Sequence, residues 1–181
     1  MVDHTSGSEE AHPRNVLKES ARIARGAVTD LDELKAGDFD ALFIPGGFGA
    51  AKNLSDFGFK GADMSVEPDI KAVLEDFRSE NKAIGLSCIA PILAAKVFGA
   101  KACITLGRSE GDAWPFAGSI GAAESFGTKT VERTVGEVCV DAENKLVTVP
   151  AYMKGDARPH EVVDDMSKLV ARVSELVLKS Q

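Results

Sequence analysis

Short apolar runs alternate along this chain with segments of helical periodicity. Between residues 13 and 26, apolar side chains recur at Val16, Leu17, Ala21, Ile23 and Ala24. That spacing predicts a helix with Pro13 in its first turn and Gly26 just past its end. Residues 40–45 (DALFIP) form a short apolar strand running into Gly46 and Gly47. A second helix is predicted over 66–81, with Pro68 in its first turn and Ile70, Val73, Leu74 and Phe77 on one face. Residues 83–87 read as the next strand, 89–98 as a helix stopped by Gly99, and 103–106 as another strand. A loop containing Trp114 and Pro115 leads to a helix over about 119–126. The apolar runs 137–140 and 146–149 flank a polar turn at 141–144 and predict a hairpin. The last segment, 159–178, is a long amphipathic helix.

Strands that alternate with helices predict an α/β fold, a parallel sheet covered by helices on both faces. No repeat, low-complexity tract or internal linker interrupts the pattern, so 1–181 reads as a single domain whose first twelve polar residues are a loop or arm.

One corner stands out. The strand at 83–87 turns directly into a helix at Cys88, in the stretch KAIGLSCIAPIL. In open α/β sheets, ligands bind outside the carboxyl ends of the strands, and a side chain at such a turn projects above the sheet as in a nucleophile elbow. The positive end of the following helix would favour the thiolate and lower the pKa of Cys88. The alternative is a small buried apolar residue, the common fate of a free cysteine. Pro45-Gly46-Gly47-Phe48-Gly49 ends the neighbouring strand. Backbone N–H groups at Gly46 and Gly47, with that of Ile89 after the cysteine, could form an oxyanion hole or bind substrate; a tight turn is the other reading. The glycine spacing fits neither a dinucleotide fingerprint nor a phosphate-binding P-loop.

Composition narrows the chemistry. With 21 Lys and Arg against 28 Asp and Glu, the net charge is −7, which argues against nucleic acid or an anionic membrane surface as partner. No apolar stretch approaches the roughly 20 residues that span a bilayer. Three cysteines without C-x-x-C spacing fit a reducing compartment, with Cys103 and Cys139 read as packing residues inside strands. The histidines, His4, His12 and His160, show no metal-site spacing, and none adjoins Cys88.

Taken together, IPGGFGAAKNLSDF (44–57), IGLSCIAP (84–91), RNVLKESARIARG (14–26) and ENKLVTVPAYM (143–153) resemble the PfpI-like superfamily of class I glutamine amidotransferase-like proteins, and within it the ElbB branch. The stretch around Trp114, Pro115 and Phe116 resembles the mitochondrial relatives in that branch more than the bacterial ones. The resemblance covers essentially the whole chain. It implies a flavodoxin-like sheet with Cys88 as elbow nucleophile. It also implies glyoxalase-like conversion of 2-oxoaldehydes such as methylglyoxal to 2-hydroxy acids, without cofactor or metal, and a mitochondrial matrix location, with the cytoplasm as alternative. Relatives open with a strand, helix and second strand that carry a partner glutamate. The residues here begin after that opening, so the resemblance implies an N-terminally truncated domain with weak or absent activity. It further implies a homodimer, or a protein partner covering the open edge of the strand at 40–45. The alternative function is a non-catalytic thiol sensor or an accessory subunit of a larger assembly.

Overall fold

The computed structural model describes Thr5, Ser6, Ser8 and residues 14–179, and the chain divides into two units between Leu34 and Lys35. Most of the polar segment 1–12, with His4 and His12, and Pro13 lie outside the described residues. In the first unit, helix α1 (Val16–Ala24) starts later than the periodicity predicts. The Asn15 side chain caps it by accepting from the Lys18 N–H at 3.0 Å. The helix ends through a left-handed Arg25, and the Gly26 N–H then donates to the Ala21 carbonyl at 2.8 Å. No residue of α1 is buried.

The second unit is built on a four-stranded sheet. Strand β1 (Ala41–Ile44) leads through Gly46 into two short helices, α2 (Gly47–Lys52) and α3 (Phe57–Lys60). Helix α4 (Pro68–Ser79) returns the chain to β2 (Ala83–Ser87), and α5 (Pro91–Phe98) follows the corner. After β3 (Cys103–Ile104) come α6 (Gly118–Ser125), β4 (Lys129–Thr130), β5 (Cys139–Asp141), β6 (Leu146–Val149) and α7 (Pro159–Leu178).

The sheet order is β1-β2-β6-β5. The first three strands are parallel, with Ala41 opposite Ala83 and Ile84 opposite Leu146; β5 is antiparallel to β6. The expected parallel sheet is therefore mixed at one edge, where the hairpin adds its first strand. The strand expected at 103–106 shrinks to two residues and pairs in parallel with β4, outside the main sheet. Among the described residues, the outer edge of β1 has no strand beside it.

Two helices explain why β2 is buried throughout. Helix α7 packs Leu169 and Val173 against Ala83, Val147 and Val149 on one face. The alternate residues Ile84, Leu86 and Leu146 are fully buried on the other, where α4 packs against β2. Each such aliphatic side chain contributes about 1.5–3 kcal/mol by leaving water. The centre of the sheet is thus its most firmly held part, and the candidate chemistry sits at its carboxyl end.

Candidate functional site

Because β1, β2 and β6 are adjacent and parallel, their carboxyl ends lie side by side. Each runs into a tight turn, and the three turns meet around Cys88. Cys88 has φ 58, a left-handed conformation that a non-glycine residue adopts at a cost of about 1–2 kcal/mol. The surroundings hold it there: the Cys88 N–H donates to the Val149 carbonyl at 3.1 Å, and the Ala90 N–H closes the turn on the Ser87 carbonyl at 3.0 Å. This is the elbow geometry expected from the sequence, and it projects the thiol above the sheet. The side chain is partly exposed and its sulfur lies 4.0 Å from the Met153 sulfur.

The backbone N–H groups of Gly47, Ile89 and Tyr152 lie near enough to the Cys88 sulfur to favour its thiolate. Gly47 and Ile89 are two of the positions expected from the sequence. Gly46, the third expected position, also has a steric part. With φ +87, a Cβ there would lie 2.5 Å from the Ser87 carbonyl oxygen and 3.0 Å from the Cys88 Cβ, so only glycine lets the β1 turn close on the elbow. The Ser87 hydroxyl ties the same two strand ends by donating to the Pro45 carbonyl at 2.8 Å.

Tyr152 is the donor that sequence reasoning missed. It lies in a short 3-10 turn (Ala151–Met153) after β6, and Ala151 is itself left-handed, at φ 46. The turn is pinned from below by Asp165 of α7, which is fully buried and accepts from the Ala151 N–H at 2.9 Å and the Gly136 N–H at 2.5 Å. Burial pushes the Asp165 carboxyl above its ordinary value, against the pull of those two N–H groups and of Lys168.

The electrostatics of the cysteine correct one expectation. Burial pushes the Cys88 thiol up, and the N–H groups of Gly47, Ile89 and Tyr152 act in the other direction without overcoming it. The expected lowering gives way to a rise because the thiol is desolvated.

Around the cysteine opens a cavity of about 870 Å³. Cys88, the β1 turn and the Tyr152 turn form one part of its wall; Phe48, Phe57, Phe116, Val162 and Met166 contribute apolar surface. Among the described residues, no Asp, Glu, His, Lys or Arg lines it. The remaining sequence candidates lie elsewhere. His160 is an exposed residue in the first turn of α7. Cys103 and Cys139 face each other with sulfurs 4.0 Å apart. Burial and the neighbouring Cys103 push Cys139 up to about 12, which fits the packing role expected for it.

The chain is 46% identical over 181 residues to the human mitochondrial glutamine amidotransferase-like class 1 domain-containing protein 3, covering 99% of this chain and 67% of that protein. It is 45% identical to the rat mitochondrial ES1 protein homolog, again over 99% of this chain, and covers 68% of that relative. The zebrafish mitochondrial ES1 protein is 34% identical over 92% of the chain and 65% of its own length. The chain thus spans about two thirds of the length of these relatives. Among solved structures, an Ehrlichia chaffeensis isoprenoid biosynthesis protein with an amidotransferase-like domain superposes with a TM-score of 0.82 at 28% identity, covering 97% of this chain and 77% of that one. No family model matches the chain.

Proposed function

Since the chain belongs to the glutamine amidotransferase-like class 1 domain family that includes the ES1 proteins, we propose that its site performs glyoxalase-like chemistry with Cys88 as nucleophile. The observation that carries this reading is the strained cysteine facing three backbone N–H groups at the floor of a cavity. In a 2-oxoaldehyde, the Cys88 sulfur bonds to the aldehyde carbon and the C=O π pair moves to oxygen. The N–H groups of Gly47, Ile89 and Tyr152 stabilise that oxygen as charge develops, and the thiol proton ends on it, giving a hemithioacetal. Each donor of this kind typically contributes about 10²–10³-fold. The aldehyde C–H proton then transfers through an enediol to the adjacent carbonyl carbon. One carbon is oxidised and its neighbour reduced, leaving the thioester of a 2-hydroxy acid. Water hydrolyses that thioester and restores the thiol. No external oxidant or reductant is consumed.

The domain is assigned to the ElbB-like branch of the PfpI-like superfamily, taken as one domain over 1–181. Kinship with three mitochondrial proteins supports a mitochondrial location. The reading includes a homodimer, or a partner along the outer edge of β1, to be measured by light scattering. The test of the chemistry is lactate production from methylglyoxal by the protein and its Cys88→Ala variant. Equal production by both defeats the nucleophile.

A second reading has its own support. A cavity wall without a described acid or base suits a thiol sensor or accessory subunit that binds or reacts slowly rather than turning over. Reversible modification of Cys88 without product release distinguishes it.

A further inference from the structure

The cavity around Cys88 is much larger than a three-carbon aldehyde requires. At about 870 Å³ it falls in the size range of pockets that enclose drug-sized ligands. Its polar groups are also unevenly placed. The three N–H donors gather at the sulfur, where a reacting carbonyl would sit. Away from it the wall is mainly aromatic and aliphatic, from Phe48, Phe57, Phe116, Val162 and Met166, while the Ser119 hydroxyl there is turned to the Phe116 carbonyl at 2.7 Å. Phe116 is 46% and Phe48 56% exposed, so apolar surface is left open at the cavity rather than filling it.

Charge settles what this space can hold. The described wall carries no ionisable side chain other than the cysteine and Tyr152, and the Lys52 ammonium beside it lies over the Phe48 and Phe59 rings, so a charged tail along the Phe116, Val162 and Met166 side of the wall would meet no opposite charge there. The zwitterionic head of glutamine meets the same objection. An uncharged apolar tail would instead cover the exposed phenylalanines while its carbonyl end met the N–H groups.

Resting on the glyoxalase-like reading, we propose that the substrates of this site are 2-oxoaldehydes bearing a large, neutral, apolar substituent of about aromatic size. The covalent step is the one already balanced above, with the substituent on the ketone carbon lying along the phenylalanine wall.

Three aldehydes with the same reacting group test this: methylglyoxal, phenylglyoxal and 4-carboxyphenylglyoxal. Each kcat/KM of the full chain is divided by the rate at which that aldehyde adds to a small free thiol, which removes differences in intrinsic reactivity. Phenylglyoxal is expected to exceed methylglyoxal at least tenfold, since a single methylene in an apolar pocket discriminates by about 10–200-fold. The carboxylated analogue is expected to fall at least tenfold below phenylglyoxal. A Phe116→Arg variant, which places a cation on the partly exposed wall, is expected to raise the carboxylated analogue relative to phenylglyoxal. Methylglyoxal turned over as well as phenylglyoxal overturns the proposal and leaves the glyoxalase-like reading intact. Equal rates for the carboxylated and parent compounds likewise overturn the neutral-substituent claim alone. If none of the three is converted, the catalytic reading fails and the substrate class with it.

Discussion

Replacing Gly46 with alanine probes whether the β1 turn closes on the elbow as tightly as described. The new Cβ would meet the Ser87 carbonyl oxygen at 2.5 Å and the Cys88 Cβ at 3.0 Å, contacts that force the turn or the elbow to move. Gly46 also has φ 87 and ψ −138, a region held almost only by glycine, where another residue costs about 1–3 kcal/mol. Overpacking of a tight site costs about 1–3 kcal/mol more. The expected loss for Gly46→Ala is therefore about 2–6 kcal/mol. Gly47 supplies the control. It has φ +75 but nothing within 4 Å of a built Cβ, so Gly47→Ala should cost only the left-handed penalty of about 1–2 kcal/mol. Urea unfolding of the two variants and the parent measures both costs. With m-values of about 1–3 kcal/mol/M, the difference of about 2.5 kcal/mol between the centres of the two ranges separates the midpoints by roughly 0.8–2.5 M. Alkylation of Cys88 in the folded variants reports on the elbow itself, and its rate should change more in Gly46→Ala than in Gly47→Ala. If Gly46→Ala unfolds at the same urea concentration as Gly47→Ala or above it, the close approach of the two strand ends is wrong.

Three further outcomes are expected. Because burial raises the Cys88 pKa, its iodoacetamide labelling should climb through a midpoint above the ordinary thiol value of about 8.5, and a plateau already reached at pH 7 would contradict the desolvation argument. Cys139, buried and pushed up to about 12, should label only when the protein unfolds; mass spectrometry of native protein alkylated at pH 9 checks this, and early labelling would remove its packing role. Asp165 has a raised folded pKa, so its favourable contribution is complete below the unfolded value of about 3.9 and is lost as pH rises through the folded value; urea midpoints of the parent minus those of Asp165→Asn should fall over that window, and a rising difference would reverse the sign.

Much of this architecture was legible in the residues. Apolar runs bounded by glycine and proline mark β1 and β2, and the amphipathic pattern with Pro159 at its start marks α7 over the same residues as observed. The elbow was legible because strand and helix signals abut at Cys88 without a spacer. Helix α2 was hidden by its glycines, which read as a turn, and β4 by its length of two residues. The Tyr152 donor was hidden for a topological reason. A hairpin at 137–149 is visible in sequence, but nothing local says that its second strand lies beside β2 and so delivers the following turn to the sulfur. Desolvation of Cys88 was equally out of reach, since the residues beside its sulfur include Met153, far along the chain from the cysteine.

The donors facing Cys88 follow three different strands, each distant from the others in sequence. No hairpin or single crossover unit contains all of them. During folding, loop-closure entropy must be met for both crossovers before the N–H groups of Gly47, Ile89 and Tyr152 can converge. A half-folded or locally frayed molecule therefore keeps its thiol but lacks the convergence of these N–H groups around it. The arrangement around Cys88 is complete only when β1, β2 and β6 are all paired, so it rests on long-range pairing at every strand.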